Sequence, residues 1–279
     1  TSGPYLILPM KPIPFFSLAL FFLCGSAHAE LRTPSIIGEN MVLQQKHKNP
    51  IWGWAEAGEA ITVSIAGQTH KTKADKSGAW KVTLNSMEAS AKAATLSIKG
   101  KSSSLSYPNV LVGEVWICSG QSNMGWAVNG SDDSDLEILT ADFPNLRLIS
   151  VPQVGTQEPQ DDFNGQWEAT TPEVAKNFSA VGYFFGRRLH QALRVPVGLI
   201  DNAWGGSACE AWIPRDRLNA TAVAKPYMDQ WRETESNYDA EAAREKYEKQ
   251  KAKWADQVKK AKEAEKPRPR APRPPRNPL

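Results

Sequence analysis

From Leu31 to about Pro108, apolar residues recur in short alternating runs broken by turn residues. Ile61-Thr62-Val63-Ser64-Ile65 alternates with period two and stops at Ala66-Gly67. The turn Asp75-Lys76-Ser77-Gly78 precedes Ala79-Trp80-Lys81-Val82-Thr83-Leu84, which alternates again. Ile51-Trp52-Gly53-Trp54 and Thr95-Leu96-Ser97-Ile98-Lys99 complete the set. A strand with one apolar face must bury that face on another sheet. These runs therefore predict a small antiparallel β-sandwich over residues 30–108.

The pattern changes at Val110. Val110-Leu111-Val112-Gly113-Glu114-Val115-Trp116-Ile117-Cys118 is mostly apolar, as expected for a strand buried on both faces. Leu146–Val151 predicts a second strand. Phe178, Val181, Phe185, Leu189 and Leu193 then fall on one helical stripe, and Val195–Ile200 predicts a third strand. Strands alternating with a helix predict an α/β domain with a largely parallel sheet over residues 109–265.

From about Arg215 to Lys266 the chain reads as charged helix with a narrow apolar stripe of Tyr247, Trp254, Val258 and Ala261. That stripe suits a coiled-coil partner or, more simply, packing of the helical excursion on its own domain. Residues 266–279 hold proline at a density that forbids helix and predicts an extended linker. An interaction module built from the charged helix and this tail is a further alternative.

Composition narrows the chemistry. With 41% hydrophobic and 23% charged residues, the 279-residue chain is globular in character, and a net charge of +3 gives no reason to expect nucleic-acid binding. The basic character sits in residues 266–279, which hold Lys266, Arg268, Arg270, Arg273 and Arg276 and no acid. Four histidines and three cysteines show no metal-binding spacing, so no metal or cofactor is expected. Met10–Ala29 has one cation at Lys11, an apolar run from Phe15 to Leu23, and Ala27-His28-Ala29. This is the pattern of an export signal cleaved before Glu30, too short to span a bilayer, with Thr1–Pro9 preceding the expected start at Met10. A periplasmic or extracellular protein follows as the expectation, free of the membrane after cleavage. Cys118 and Cys209 are then the remaining cysteines; whether they pair, and the oligomeric state, stay open.

Two loops follow apolar strands and carry polar residues and glycine. One is Ser119-Gly120-Gln121-Ser122-Asn123-Met124, after the strand ending at Cys118; the other is Asp201-Asn202-Ala203-Trp204-Gly205-Gly206-Ser207. In open α/β sheets ligand sites gather beyond the carboxyl ends of the strands, so the two loops suit one site. Gly120 gives the backbone freedom for a tight turn that exposes Ser122. The match to the G-x-S-x-G elbow fails at Met124, which argues against an ordinary α/β-hydrolase. Ser122 is therefore a nucleophile or a helix N-cap, and Gly205-Gly206 is an oxyanion-binding backbone or a plain turn.

The segment Gly113–Met124 closely resembles the nucleophile segment of the sialate O-acetylesterase family, a branch of the SGNH hydrolases. Gly38-Glu39-Asn40-Met41-Val42-Leu43-Gln44, Trp52-Gly53-Trp54, Tyr183-Phe184-Phe185-Gly186-Arg187 and the stretch from Val195 to Trp212-Ile213-Pro214 agree with it, in order, over about residues 31–215. The resemblance implies a flavodoxin-like α/β/α esterase domain behind a β-sandwich, removing O-acetyl groups from sugars such as sialic acid without a cofactor. It makes Ser122 the nucleophile and assigns the oxyanion to the Ser122 N–H with Gly205 and Gly206. Gln121 and Asn123 shape the turn. Ser207 stands where the family usually has threonine and keeps the hydroxyl.

One part of the family pattern does not occur. The downstream glutamine-glycine-glutamate and Asp-x-His-type segments have no counterpart here. His28 leaves with the export signal, His47 and His70 fall in the sandwich, and His190 sits in the predicted helix 178–193. The expectation is an N-terminal portion of an esterase that holds the nucleophile but lacks its acid–base pair and is inactive alone. The alternative is a non-catalytic exported carbohydrate-binding protein, using Trp52, Trp54 and Trp80 of the sandwich.

Overall fold

The computed structural model describes residues 30–156 and 158–275. The expected export segment Met10–Ala29 lies outside the described residues. Within them, ten strands run in chain order: β1 Val42–Gln44, β2 Pro50–Trp54, β3 Ala60–Ile65, β4 Gln68–Lys73, β5 Ala79–Thr83, β6 Ser90–Lys99, β7 Ser104–Gly120, β8 Phe143–Ser150, β9 Glu168–Thr170 and β10 Val197–Ala203. The α-helices are α1 Ser134–Leu139, α2 Pro172–Lys176, α3 Ala180–Leu193, α4 Arg215–Ala220, α5 Lys225–Ser236 and α6 Ala240–Glu263. No helix among the described residues is long and apolar enough to cross a membrane.

The main sheet is mixed, in the order β4-β3-β6-β7-β10-β8-β9, with β1 also on β7. The antiparallel pair β2–β5 forms a second, two-stranded sheet. Its Ile51, Trp80 and Val82 join Ile61 and Val63 of β3 and Leu96 and Ile98 of β6 in one buried core. The alternation read in these runs explains the packing: every second side chain points to that core.

β7 ties the molecule together. Its first half pairs antiparallel with β6, and its second half pairs parallel with β10 from Glu114 to Gly120. It runs without a break through residues 108 and 109, where the sequence suggested a change of unit. Arg147, 3% exposed, braces the junction. Its guanidinium donates to Asn40 Oδ1 at 3.0 Å, Asn109 Oδ1 at 3.1 Å and the Pro144 carbonyl at 2.6 Å. Burial lowers its pKa, and these oxygens replace the water it loses.

Helices cover one face of the β7-β10-β8 region. Cys118, Leu146, Leu148, Val197 and Leu199 pack there with Phe178, Ala180 and Tyr183 around α3. Ile149 and Ile200, on the opposite face, join Trp167 and the core of the N-terminal strands. The second helical layer of an α/β/α arrangement is thus absent among the described residues; β-structure and Trp167 take its place.

The expectation that Val110–Cys118 is buried on both faces holds for Val110–Val112 and fails further along. Trp116 is 44% and Ile117 67% exposed. The reason is a strand edge. Glu114 N–H donates to the Pro196 carbonyl and Trp204 N–H to the Gly120 carbonyl, both at 2.9 Å, so even-numbered residues face β10. Odd-numbered residues face away. Val115 N–H is taken by Gln44 Oε1 at 2.8 Å. Beyond it no described strand lies along that edge.

The charged region is helical as expected, and α5 buries Met228, but α6 stays out of the core. No residue of α6 is buried, and α6 does not lie against the sheet.

Candidate active site

Ser122 follows directly on β7, two residues beyond Gly120, in an exposed turn. Gly120 has φ +148°, a backbone state that side-chain-bearing residues rarely adopt. The turn is closed by Gly125 N–H donating to the Gln121 carbonyl at 2.8 Å. No helix starts at Ser122; the next helical element is a short 3₁₀ turn at Val128–Gly130. Ser122 is therefore not a helix N-cap, and its hydroxyl is not spent on capping.

β10 extends three residues further than the sequence suggested, so Asp201, Asn202 and Ala203 belong to the strand. The loop that meets Ser122 begins at Trp204. Ser207 N–H donates to the Trp204 carbonyl at 3.2 Å, closing a turn over Gly205 and Gly206. Gly206 has φ +77°, as the third position of a type II turn requires. The two glycines differ in their surroundings. A Cβ on Gly205 would stand 3.5 Å from both Cα and Oγ of Ser122, whereas one on Gly206 would meet nothing within 4 Å. Gly205 is the residue set against the serine.

Side chains join the two loops. Gln121 Nε2 donates to the Ser207 carbonyl. Ser207 Oγ donates to the Trp204 carbonyl at 2.7 Å and accepts from Trp212 Nε1 at 2.8 Å. The hydroxyl that Ser207 shares with threonine thus holds the turn. Gln121, Ser122, Asn123 and Met124 line an open cleft of about 460 Å³ with Val181 from the first turn of α3. Asn123 contributes its carbonyl to the turn, accepting from Trp126 N–H at 3.4 Å. The roles of Val181 and Trp212 were not legible in the sequence, since only chain folding brings them here.

Asp201 was also missed as a separate element. It lies at the end of β10, paired in register with Cys118. Burial pushes its pKa up, opposed by the Ala203 and Ser179 N–H groups that bond to it. Its Oδ1 is buried without a hydrogen-bond partner among the described residues. Burial, then the neighbouring Asp201 charge, pushes the Cys118 thiol up to about 11. Cys118 is buried and Cys209 exposed, and both are free thiols.

The cleft around Ser122 contains no histidine, and no described carboxylate hydrogen-bonds to its hydroxyl. His190 Nδ1 is 2.6 Å from the Val195 carbonyl at the far end of α3, a bond that fixes the helix-to-β10 turn. His70 Nε2 lies 2.7 Å from Gln68 Oε1. No group of His, Cys, Asp and Glu suited to a metal occurs among the described residues. A larger cleft of about 680 Å³ lies between Thr33–Asn40, Tyr107 and residues 165–174. Its Trp167 indole donates to the Ile36 carbonyl and its Tyr107 hydroxyl pairs with Thr33, so these two polar groups are used internally. The smaller cleft, with a free serine hydroxyl facing a glycine turn, is the better candidate for chemistry.

The sialate O-acetylesterase of Mus musculus is 31% identical over 77% of this chain and 44% of its own length. The sialate O-acetylesterase of Homo sapiens is 33% identical over 72% and 42%, respectively. A crystal structure of a carbohydrate acetylesterase from Xanthomonas citri superposes with a TM-score of 0.65 at 37% identity, covering 68% of this chain and 44% of that one. The chain spans less than half the length of these relatives. The family described as carbohydrate esterase, sialic acid-specific acetylesterase matches residues 112–266, which include both loops of the cleft, and the chain belongs to that family.

Proposed function

We propose that this chain carries the nucleophilic half of a carbohydrate O-acetylesterase. The observation that carries the reading is the approach of the Trp204–Ser207 turn to Ser122 at the carboxyl ends of two paired parallel strands. Ser122 Oγ attacks the acetyl carbonyl carbon, and the carbonyl electron pair moves onto oxygen. The N–H groups of Ser122, Gly205 and Gly206 are the donors for that oxyanion, with Gly205 nearest the serine. Collapse breaks the ester C–O bond and expels the sugar oxygen, which takes up the proton that Ser122 Oγ gave up and becomes a hydroxyl, leaving acetyl-Ser122. Water then releases acetate and restores the serine. The substrate is an acetylated sugar, and no cofactor enters.

Both half-reactions need a base, and none of the described residues supplies one at Ser122. A serine without its base loses several orders of magnitude in rate. The chain by itself is therefore inactive in this reading, as an N-terminal portion of the esterase domain behind a β-sandwich. The open β7 edge and the single helical layer support an incomplete domain. Export through Met10–Ala29 is part of the same proposal.

Hydrolysis of an aryl acetate, with and without added imidazole as a soluble base, tests both claims. The expected result is no Ser122-dependent turnover alone, and imidazole-dependent acetylation of Ser122 detected by mass spectrometry. Equal rates for the wild type and Ser122→Ala in imidazole would remove Ser122 as nucleophile. Turnover without imidazole, abolished by Ser122→Ala, would overturn the missing base.

The alternative, sugar binding through exposed tryptophans, has less support. Trp80 is 3% exposed, and the Arg32 guanidinium covers Trp54 with its carbon 3.9 Å from the ring centroid.

A further inference from the structure

The apolar stripe of α6 is covered neither by the domain nor by a second helix. Trp254, Val258 and Ala261 are half-buried while nearly all their neighbours on α6 are exposed. These positions lie four and three residues apart, on one face of the helix. What lies on that face is the chain's own continuation.

The reversal is built at the end of α6. Glu265 has φ +51°, and Lys266 N–H donates to the Ala261 carbonyl at 2.8 Å. A left-handed residue with such a six-to-one bond is the device that ends a helix and turns the chain back. Four residues after that reversal, the Pro269 carbonyl accepts from Trp254 Nε1 at 2.9 Å. The Arg268 guanidinium carbon stands 5.0 Å from the Trp254 ring centroid, within cation–π range. Pro269 and Pro272 are half-buried, while the other residues from Lys266 to Pro275 are exposed. A spacing of three is the period of the polyproline II helix, which repeats one face every third residue.

We infer that the stripe centred on Trp254 is a polyproline II-binding face, and that its ligand is the chain's own segment 267–275, docked in cis. Each partner supplies what the other lacks. Polyproline II has no internal hydrogen bonds, so the Pro269 carbonyl is free to accept the indole N–H. Proline is already stiff, so docking costs little conformational entropy. α6 in turn has an apolar stripe too narrow to hold a domain. Its 24 residues rise about 36 Å, and nine residues of polyproline II return about 28 Å. The tail is one side of a closed arm that leads back toward Asp239, not a free linker.

Electrostatics give the inference a sign. α6 carries eight Lys and Arg against five Asp and Glu, and residues 266–275 hold Lys266, Arg268, Arg270 and Arg273 with no acid among them. Docking brings like charges together, so screening by salt favours it. A tail held by ion pairs would respond in the opposite direction.

The test uses the full chain. Lys266, Arg268 and Arg273 each precede proline, so trypsin can cut residues 266–275 only at Arg270–Ala271. The tryptic rate at that bond, divided by the rate for a free peptide of residues 265–275 under the same conditions, is compared with that of Trp254→Ala, which removes the indole but favours helix. The expected result is protection in the wild type, lost at least tenfold in the variant, with unchanged helical circular dichroism. Trp254→Phe keeps a ring without the N–H donor and should fall between. Protection relative to the free peptide should rise with salt. Equal relative cleavage in wild type and Trp254→Ala would overturn the inference, as would a fall in protection with salt. Protection that grows with protein concentration would overturn docking in cis in favour of a second copy.

Discussion

Gln121 reaches across from the serine turn and donates its Nε2 hydrogen bond to the carbonyl of Ser207, in the glycine turn after β10. One side chain thereby couples the two loops whose separation the proposed acyl transfer depends on. A net hydrogen bond is worth about 1 kcal/mol, or roughly a fivefold change in a local opening equilibrium. Gln121→Ala is expected to speed amide exchange at Gly206 and Ser207 by about that factor and to leave the Cys118–Gly182 region unchanged. Unchanged exchange at Ser207 would show that the Trp212–Ser207–Trp204 bonds hold the turn without Gln121.

The paired glycines should respond oppositely to a methyl group. Gly206→Ala meets no atom but must adopt φ +77°, and a left-handed alanine costs about 1 kcal/mol. Gly205→Ala makes ordinary contacts at 3.5 Å with Ser122, so the melting temperature should hardly move. Its methyl would stand beside Ser122 Oγ, where the proposed reaction places the acetyl group. Imidazole-supported acetylation of Ser122 should therefore fall in Gly205→Ala more than in Gly206→Ala. The reverse order would place the reacting carbonyl elsewhere.

Asp201 makes the fold sensitive to pH. Burial raises its folded pKa above the unfolded value near about 3.9. The folded state then holds the proton more tightly, so this residue's stabilising contribution is complete at low pH and is lost as pH rises through the folded pKa. Asp201→Asn removes the ionisation while keeping the shape. Denaturant titrations should show the variant gaining on the wild type between pH 3 and pH 7. A gap that does not change with pH would mean that Asp201 ionises without penalty.

The two thiols should differ in reactivity. Cys118 is buried, with its thiol pushed up to about 11, and Cys209 is exposed. At pH 8 the Cys118 thiolate fraction is about one in a thousand, and access is closed as well. Iodoacetamide on the native chain should label Cys209 and spare Cys118, with both labelled after unfolding, as read by peptide mapping. Native labelling of Cys118 would show that α3 opens from β7.

Much of the local structure was legible because it depends on neighbours in sequence. The alternation in 61–65 and 79–84 appears as β3 and β5, and the helical spacing of 178–193 appears as α3. The polar strand β4, Gln68–Lys73, was missed because its burial pattern never includes a buried residue and so shows no apolar face. The candidate site was legible as two loops because both follow strands. Gly205 and Gly206 were indistinguishable in sequence, since their difference is the distance to Ser122.

Taken alone, the sequence determined the family, most of the strands and the long helices, and singled out the two loops of the candidate site, because periodicity and motif are local properties of the chain. Tertiary structure decided which surfaces meet. It made β7 one strand shared by two cores, left Trp116 and Ile117 at an open edge, and folded the proline tail onto Trp254. Those outcomes depend on contacts between residues distant in sequence or on a chain reversal, and no window of the sequence contains both partners and the geometry between them.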